Sequence, residues 1–482
     1  MIRGARVGWA TTLAVSSALG FLTSAAAQLE TRSQFGTNVA PNSVVTADFN
    51  RDGKMDLAVA SYGGSSSSEI QVFLGRGDGT FGPPVAYDIG PGTGPLAVAD
   101  LNHDGNPDLV VVNNDNDTVS VLLGKGDGTF QAPVNYSTPP GPASIVLGDF
   151  NGDGKLDIAT ADQADVTGSC YCVSVLLGNG DGTFQEPAII TYTPNSLPLA
   201  LAAGHFNGDK NLDLALTLNF QSEGKVQILL GNGDGTFRLG DSYAVTPDSM
   251  SVIAADLRND QKTDLAVAEF GGRGVAVLLG NGDGTFEQPV VYMVTTPISV
   301  AAADLNGDGI LDLVTASDGV TSGMASVFIG KGDGTFQNAV SYPAGQFPYS
   351  VAIADFNGDH RPDVTITDGT GNREYVLLNT GVVAFSPTTP LNFHNQKTGT
   401  TSTPQTVTLT NTGKTALTIS SMKATGQFGM TSTCGSSVAA GANCAISVTF
   451  SPKTTGAKSG TVSIRDGASS KPQVIELSGT GT

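Results

Sequence analysis

The chain has 482 residues, 44 acidic against 24 basic, for a net charge of −20. That balance argues against nucleic acid as a partner, because phosphate contacts need clustered Lys and Arg. With 39% hydrophobic residues a core is possible, the length suggests two or three domains, and four cysteines are too few for a disulfide scaffold.

Residues 1–27 read as an address. Arg3 and Arg6 form a short positive region, an apolar stretch runs to Leu22, and Ala25-Ala26-Ala27 has the small side chains of a cleavage site. This is the pattern of a secretory signal peptide, with Gln28 as the new N-terminus. The stretch is too short and too interrupted by Thr, Ser and Gly for a membrane span, and no later run is long enough, so no membrane insertion is expected. The one tryptophan, Trp9, lies in this segment. Export implies a secreted, extracellular or cell-surface protein in an oxidising setting.

Internal repetition dominates the chain from there to residue 385. Seven acidic segments align, beginning at Asp48, Asp100, Asp149, His205, Asp256, Asp304 and Asp355, spaced by 52, 49, 56, 51, 48 and 51 residues. Each period also holds a glycine turn such as Leu176–Phe184, LLGNGDGTF, which decays in the last copy to LLNTGVVAF ending at Phe385. Small apolar runs flank each acidic loop, as in SVAAADL before it and DLVTA after it. The G-D-G turn accepts positive φ, as tight hairpins require. Four short strands in about 50 residues match one propeller blade. Fold class is therefore all-β, a seven-bladed propeller over 28–385. Phe35 and Val39 repeat the spacing of Phe81 with Val85, so residues near 33–40 are expected to complete the blade of the seventh repeat and remove an open edge.

The acidic loops share D-x-N-x-D-G-x-x-D. Three carboxylates in nine residues repel one another unless a cation joins them. Hard oxygen donors select Ca²⁺ over Zn²⁺. Side chains one, three, five and nine converge through the glycine at six, and the carbonyl at seven adds a ligand whatever its side chain. Position twelve is Val59, Val111, Thr160 or Thr315, and a strand comes next, so this is no EF-hand. The alternative is a tight turn in which Asp and Asn bond their own backbone.

The repeats resemble the FG-GAP or VCBS family, whose calcium-loop blades build the integrin α-subunit propeller and many secreted bacterial proteins. The resemblance covers roughly residues 33–385. It implies metal ligands Asp48, Asn50, Asp52, Lys54 and Asp56 in loop one, and Asp100, Asn102, Asp104, Asn106 and Asp108 in loop two. It implies Asp149, Asn151, Asp153, Lys155 and Asp157 in loop three, and Asp304, Asn306, Asp308, Ile310 and Asp312 in loop six. Loop seven keeps Asp355, Asn357, Asp359, Arg361 and Asp363, with His360 at the glycine position. Loop four departs through His205 and Lys210. Loop five has Arg258 at position three and Gln261 at six, and an arginine there could supply its own positive charge in place of the metal. Four or five filled Ca²⁺ sites are expected, with loop five empty and the filling of loop four left open.

After Phe385 the texture changes. SPTTP, 386–390, reads as a linker, and 391–482 carries seven Lys and Arg against Asp466 and Glu476. Alternating runs such as QTVTLTN and AISVTFSP suggest an Ig-like β-sandwich. Cys434 to Pro452 and the ending ELSGTGT resemble the choice-of-anchor-D family of bacterial surface modules. Cys434 and Cys444 are expected to form a disulfide across a short loop. Cys170 and Cys172 lie in an insertion and their pairing stays open. Arg76-Gly77-Asp78 spells an adhesion tripeptide, but other repeats carry Lys or Asn at that place of the same turn, so it reads as turn chemistry.

Four histidines and eight glutamates form no recognisable nucleophile or glycosidase arrangement. A non-enzymatic binding or adhesion module for a protein or glycan is the leading expectation. A carbohydrate-active enzyme or its accessory, with a site on the propeller face, is the alternative, and a purely structural envelope component is a third.

Overall fold

A computed structural model describes residues 29–63, 68–163, 171–191, 196–220, 223–318, 322–379, 383–386, 391–411, 416–466 and 472–482. The signal-peptide reading of 1–27, Cys170 and most of the expected linker lie outside the described residues.

Seven four-stranded antiparallel sheets follow one another. Blade one contains Pro41–Ala47, Asp56–Ser61, Ser68–Phe73 and Val85–Gly90. Its second strand, DLAVAS, is buried at every position, because small β-branched and alanine side chains let neighbouring blades pack on both faces. The first strands touch in cyclic order around the ring, including the contact of blade seven with blade one. Serines stitch them: Ser43 Oγ accepts the Leu96 N–H at 3.0 Å, and Ser144 Oγ the Leu201 N–H at 3.0 Å.

The ring closes with the N-terminal strand. Leu29–Gly36 pairs with Arg373–Asn379, whose sheet continues through Asp363–Asp368 to Pro348–Ala354. The expected closure holds, but not its register. Leu29 lies opposite Asn379, the place that Phe81 takes opposite Gly75. The Tyr87 hydroxyl accepts the Phe130 N–H at 3.0 Å and that of Tyr243 the Phe286 N–H at 2.7 Å; Tyr342 is hydrogen-bonded by the Leu29 backbone. Phe35 falls six residues later, in the register of Tyr87, and its ring lies 4.8 Å from Phe73 and 5.4 Å from Phe81. Val39 is 64% exposed and outside the strand. Leu29, 4% exposed, is thus the latch. Leu29→Ala should cost about 2–3 kcal/mol, read as a lower urea midpoint; a change under about 0.5 kcal/mol, the usual size for a surface substitution, would contradict this role.

The domain boundary also moves. Because Leu29–Gly36 already fills the outer position of blade seven, the seventh copy's own fourth segment leaves the propeller. Val383–Ser386, including Phe385, instead pairs with Gln405–Asn411. The propeller strands therefore end at Asn379, and Ser386 belongs to the second domain rather than to a linker. That domain packs a four-stranded sheet (Val383–Ser386, Gln405–Asn411, Asn443–Phe450, Phe428–Ser432) over a five-stranded one. Its core holds Val407, Ile446, Val448, Phe450, Val462 and Ile464, all fully buried. Cys434 and Cys444 are disulfide-bonded with Cα atoms 4.8 Å apart.

Candidate metal centre

Each acidic loop joins the first strand of a blade to the second. Its apolar second residue is an anchor. Phe49, Phe150, Phe206 and Phe356 are at most 2% exposed, and each ring meets a turn phenylalanine of the next blade edge-on, as Phe49 meets Phe130 at 5.3 Å and Phe356 meets Phe81 at 5.8 Å. The Gly128 N–H also donates to the Phe49 carbonyl at 3.0 Å. Sequence reasoning passed over this residue, although the apolar side chain at position two recurs in every copy.

Position nine has a structural duty that spacing does not reveal. Asp56 is fully buried; Oδ2 accepts the Phe49 N–H at 2.9 Å and Oδ1 the Gly75 N–H at 2.7 Å. Asp108, Asp157, Asp213, Asp264, Asp312 and Asp363 repeat this double bond. The partner is glycine in six blades because a Cβ at Gly75 would lie 2.2 Å from the Met55 carbonyl oxygen. Burial pushes Asp56 up to about 6, and Asp312 and Asp363 up to about 7, with the position-one and position-five carboxylates adding to the rise.

Positions one, three and five are tied to the loop backbone. Asp48 accepts from the N–H groups of Asp52 and Gly53 at 3.1 and 2.8 Å, Asn50 from Asp52 at 2.9 Å, and Asp52 from Lys54 at 3.0 Å. The same bonds recur for Asp100, Asn102 and Asp104, and for Asp149, Asn151 and Asp153. They recur again for Asp304, Asn306 and Asp308, and for Asp355, Asn357 and Asp359. Position four is left-handed in all seven loops, and position six in all but loop four, where Lys210 does not adopt it. The Lys54 and Lys155 ammonium groups turn back to Asp52 and Asp153 at 3.0 and 3.3 Å, and Arg361 Nη2 donates to the Val383 carbonyl at 3.0 Å.

Among the described residues, no group of three or more His, Cys, Asp or Glu side chains is gathered at metal-binding distance. Like charges oppose convergence, and each carboxylate is held on backbone N–H groups instead. Each oxygen of a carboxylate keeps a lone pair after one such bond, so the donor chemistry still suits a hard cation.

The two divergent loops show what fills this space. In loop five the Arg258 guanidinium reaches Asp264 at 2.8 Å, the Gly280 carbonyl at 2.6 Å and Asp260 at 3.5 Å. Burial raises the Asp264 pKa, and the guanidinium pulls it back. In loop four the His205 imidazole Nδ1 lies 2.9 Å from the Asn211 carbonyl, the position-seven oxygen. Both loops that lose the acidic pattern place a side chain of their own on the candidate ligands.

The adhesion tripeptide is turn chemistry. Asp78 accepts from the Thr80 N–H and hydroxyl at 3.0 and 2.6 Å, as Asp127, Asp181, Asp234, Asp283 and Asp333 do with their threonines.

Comparison with known proteins agrees with this architecture. A model described as FG-GAP-like repeat matches residues 48–111, 100–160, 205–267, 256–315 and 304–366. Residues 380–474 match the family described as abnormal spindle-like microcephaly-associated, ASPM-SPD-2-Hydin. No curated protein matches the sequence. Similar solved structures include a Lactobacillus plantarum protein, 15% identical over 64% of this chain and 86% of that one, TM-score 0.48. The Pseudomonas aeruginosa periplasmic gluconolactonase is 17% identical over 64% of this chain and 86% of its own, TM-score 0.46. The Vibrio cholerae biofilm matrix protein Bap1 is 13% identical over 73% and 91%, TM-score 0.41. With FG-GAP-like repeats matched over more than half of its length, the chain belongs to the FG-GAP-like repeat family.

Proposed function

We propose that this is an exported, calcium-stabilised propeller that acts as a binding module for a protein or glycan, with the Ig-like domain as spacer or second contact. No catalytic role is assigned. The observation that carries the calcium reading is Arg258, a cation placed by the chain itself between the carboxylates of the loop that lacks the calcium pattern. Among the described residues no ion pair joins a cation to the position-nine acid of loops one, two, three, six or seven, and each of these loops takes one Ca²⁺ through Asp, Asn and the position-seven carbonyl. Loops four and five take none.

Restoring the pattern tests this directly. Arg258→Asn with Gln261→Gly should add one bound Ca²⁺ per chain, counted by titration calorimetry. An unchanged count contradicts the assignment. Ligand class is tested on a panel of glycans and surface proteins in millimolar calcium. Saturable binding with no product released supports a binding module; turnover of a polysaccharide supports the enzymatic alternative.

A further inference from the structure

Blade seven lacks the glycine turn that the other six repeats carry. Four of those turns cap the position-two carbonyl of the preceding acidic loop. The Gly79 N–H donates to Phe356 at 2.9 Å, Gly128 to Phe49 at 3.0 Å, Gly235 to Phe150 at 3.0 Å and Gly284 to Phe206 at 2.8 Å. By count Val383 holds that place in the seventh repeat, four residues after Asn379 as Gly79 is four after Gly75. Valine does not suit it. Gly79 has a φ of 78°, a conformation that a β-branched residue resists, and a Cβ there would lie 2.8 Å from Arg32.

Two side chains repair the gap where the chain leaves the ring. Asn379 Nδ2 donates to the Leu305 carbonyl at 2.6 Å, the position-two oxygen of loop six. A buried carbonyl left without a donor would cost stability. Arg361 Nη2 donates to the Val383 carbonyl at 3.0 Å. The Val383 side chain is 1% exposed and belongs to the core of the second domain, where its strand pairs with Gln405–Asn411. One residue thus has its side chain in the second domain and its carbonyl on loop seven. Both bonds are between described residues.

Arg361 is also position seven of its loop, so its own carbonyl is among the ligands in the calcium reading above. Lys54 and Lys155 at that position turn back onto Asp52 and Asp153. In loop five Arg258 is drawn onto Asp260 and Asp264. Asp359 and Asp363 hold the same two positions in loop seven and compete for the Arg361 guanidinium. A cation on those acids offsets their charge and leaves the guanidinium to Val383.

We propose that Asn379 and Arg361 clamp the second domain to the acidic-loop face of the propeller, and that calcium in loop seven locks the clamp. Calcium then sets the orientation of one domain to the other. The clamp rests on the two hydrogen bonds; the lock rests on the calcium reading.

Small-angle X-ray scattering of the full chain tests both, with bound Ca²⁺ counted by titration calorimetry. In millimolar calcium the wild type should scatter as one rigid two-domain particle. In excess EGTA its maximum dimension should lengthen and a single-conformer fit should fail. Asn379→Gly restores the residue of the other blades and removes the bond to Leu305. It should lose the rigid profile in calcium with the calcium count unchanged. Arg361→Met removes the donor to Val383, should loosen the profile even at saturating calcium, and serves if Asn379→Gly loses the fold. Wild-type scattering from both variants overturns the clamp. A wild-type profile that EGTA leaves unchanged, although the bound calcium has been counted and removed, overturns the lock and leaves the acidic-loop reading standing. A calcium count of zero removes the lock together with that reading, while the variants judge the clamp separately.

Discussion

If the acidic loops hold calcium as proposed, excess EGTA should lower the melting temperature of this protein in millimolar calcium by roughly ten degrees. For dissociation constants of ~0.1 mM and ~1 mM free ion, each filled loop would contribute roughly 1.4 kcal/mol, and five would contribute roughly 7 kcal/mol. That is comparable to the whole stability of an ordinary domain. The effect is large because each loop is a joint between blades. Phe49 is wedged against Phe130, the Phe49 carbonyl accepts from Gly128, and Asp56 ties the loop to Gly75. Without a cation, Asp48 and Asp52 raise the cost of keeping the buried Asp56 ionised. Differential scanning calorimetry with and without EGTA, and with readded Ca²⁺ or Mg²⁺, is the measurement. A melt that ignores EGTA leaves the loops as hydrogen-bonded turns and removes calcium from this account.

Repeat spacing made the ring, the blade count and the loop positions legible, because each copy restates the same strand and turn chemistry. It did not reveal what distant backbone does. Asp56 reads as a ligand beside Asp52, yet its nearest oxygen partner is an N–H nineteen residues on, at Gly75. Phe35 matches Phe81 by residue type, but the closing strand has no glycine turn before it to set the register. Leu29 takes that place instead, a substitution that pattern matching cannot see. Phe385 stands six residues after Asn379, as Phe81 stands six after Gly75. Periodicity therefore assigns it to the propeller, while the position it would fill is already taken by the N-terminus. The ion pairs of Arg258 with Asp260 and Asp264 were legible, because a guanidinium between carboxylates is simple electrostatics.

Glu374→Gln should stabilise the protein at neutral pH, with a gain that grows with pH. Glu374 stands in the third strand of blade seven, five residues before Asn379. The corresponding residues, each five before the turn glycine, are Ile70, Val119, Val173, Val226, Val275 and Ala325, all fully buried, as Glu374 is. One carboxyl oxygen accepts the Thr365 hydroxyl and Oε2 has no partner among the described residues. Burial pushes its pKa up from 4.5 to about 8, against the Thr365 bond. Between those values the folded state holds a proton that the unfolded chain has released. Stability therefore falls as pH rises through this window, by about 1.4 kcal/mol per unit. The penalty is absent below the unfolded pKa and complete above the folded one, reaching about 3 kcal/mol at pH 7. Glutamine keeps the acceptor for Thr365 and removes the charge. Urea unfolding of both proteins in calcium should give nearly equal stabilities at about pH 4.5 and a gap of several kcal/mol at about pH 8. The acidic loops titrate in both proteins, so their contribution cancels in the difference at each pH. Parallel pH curves for the two proteins would show that Glu374 is ionised at no cost and that a donor or cation reaches Oε2 after all.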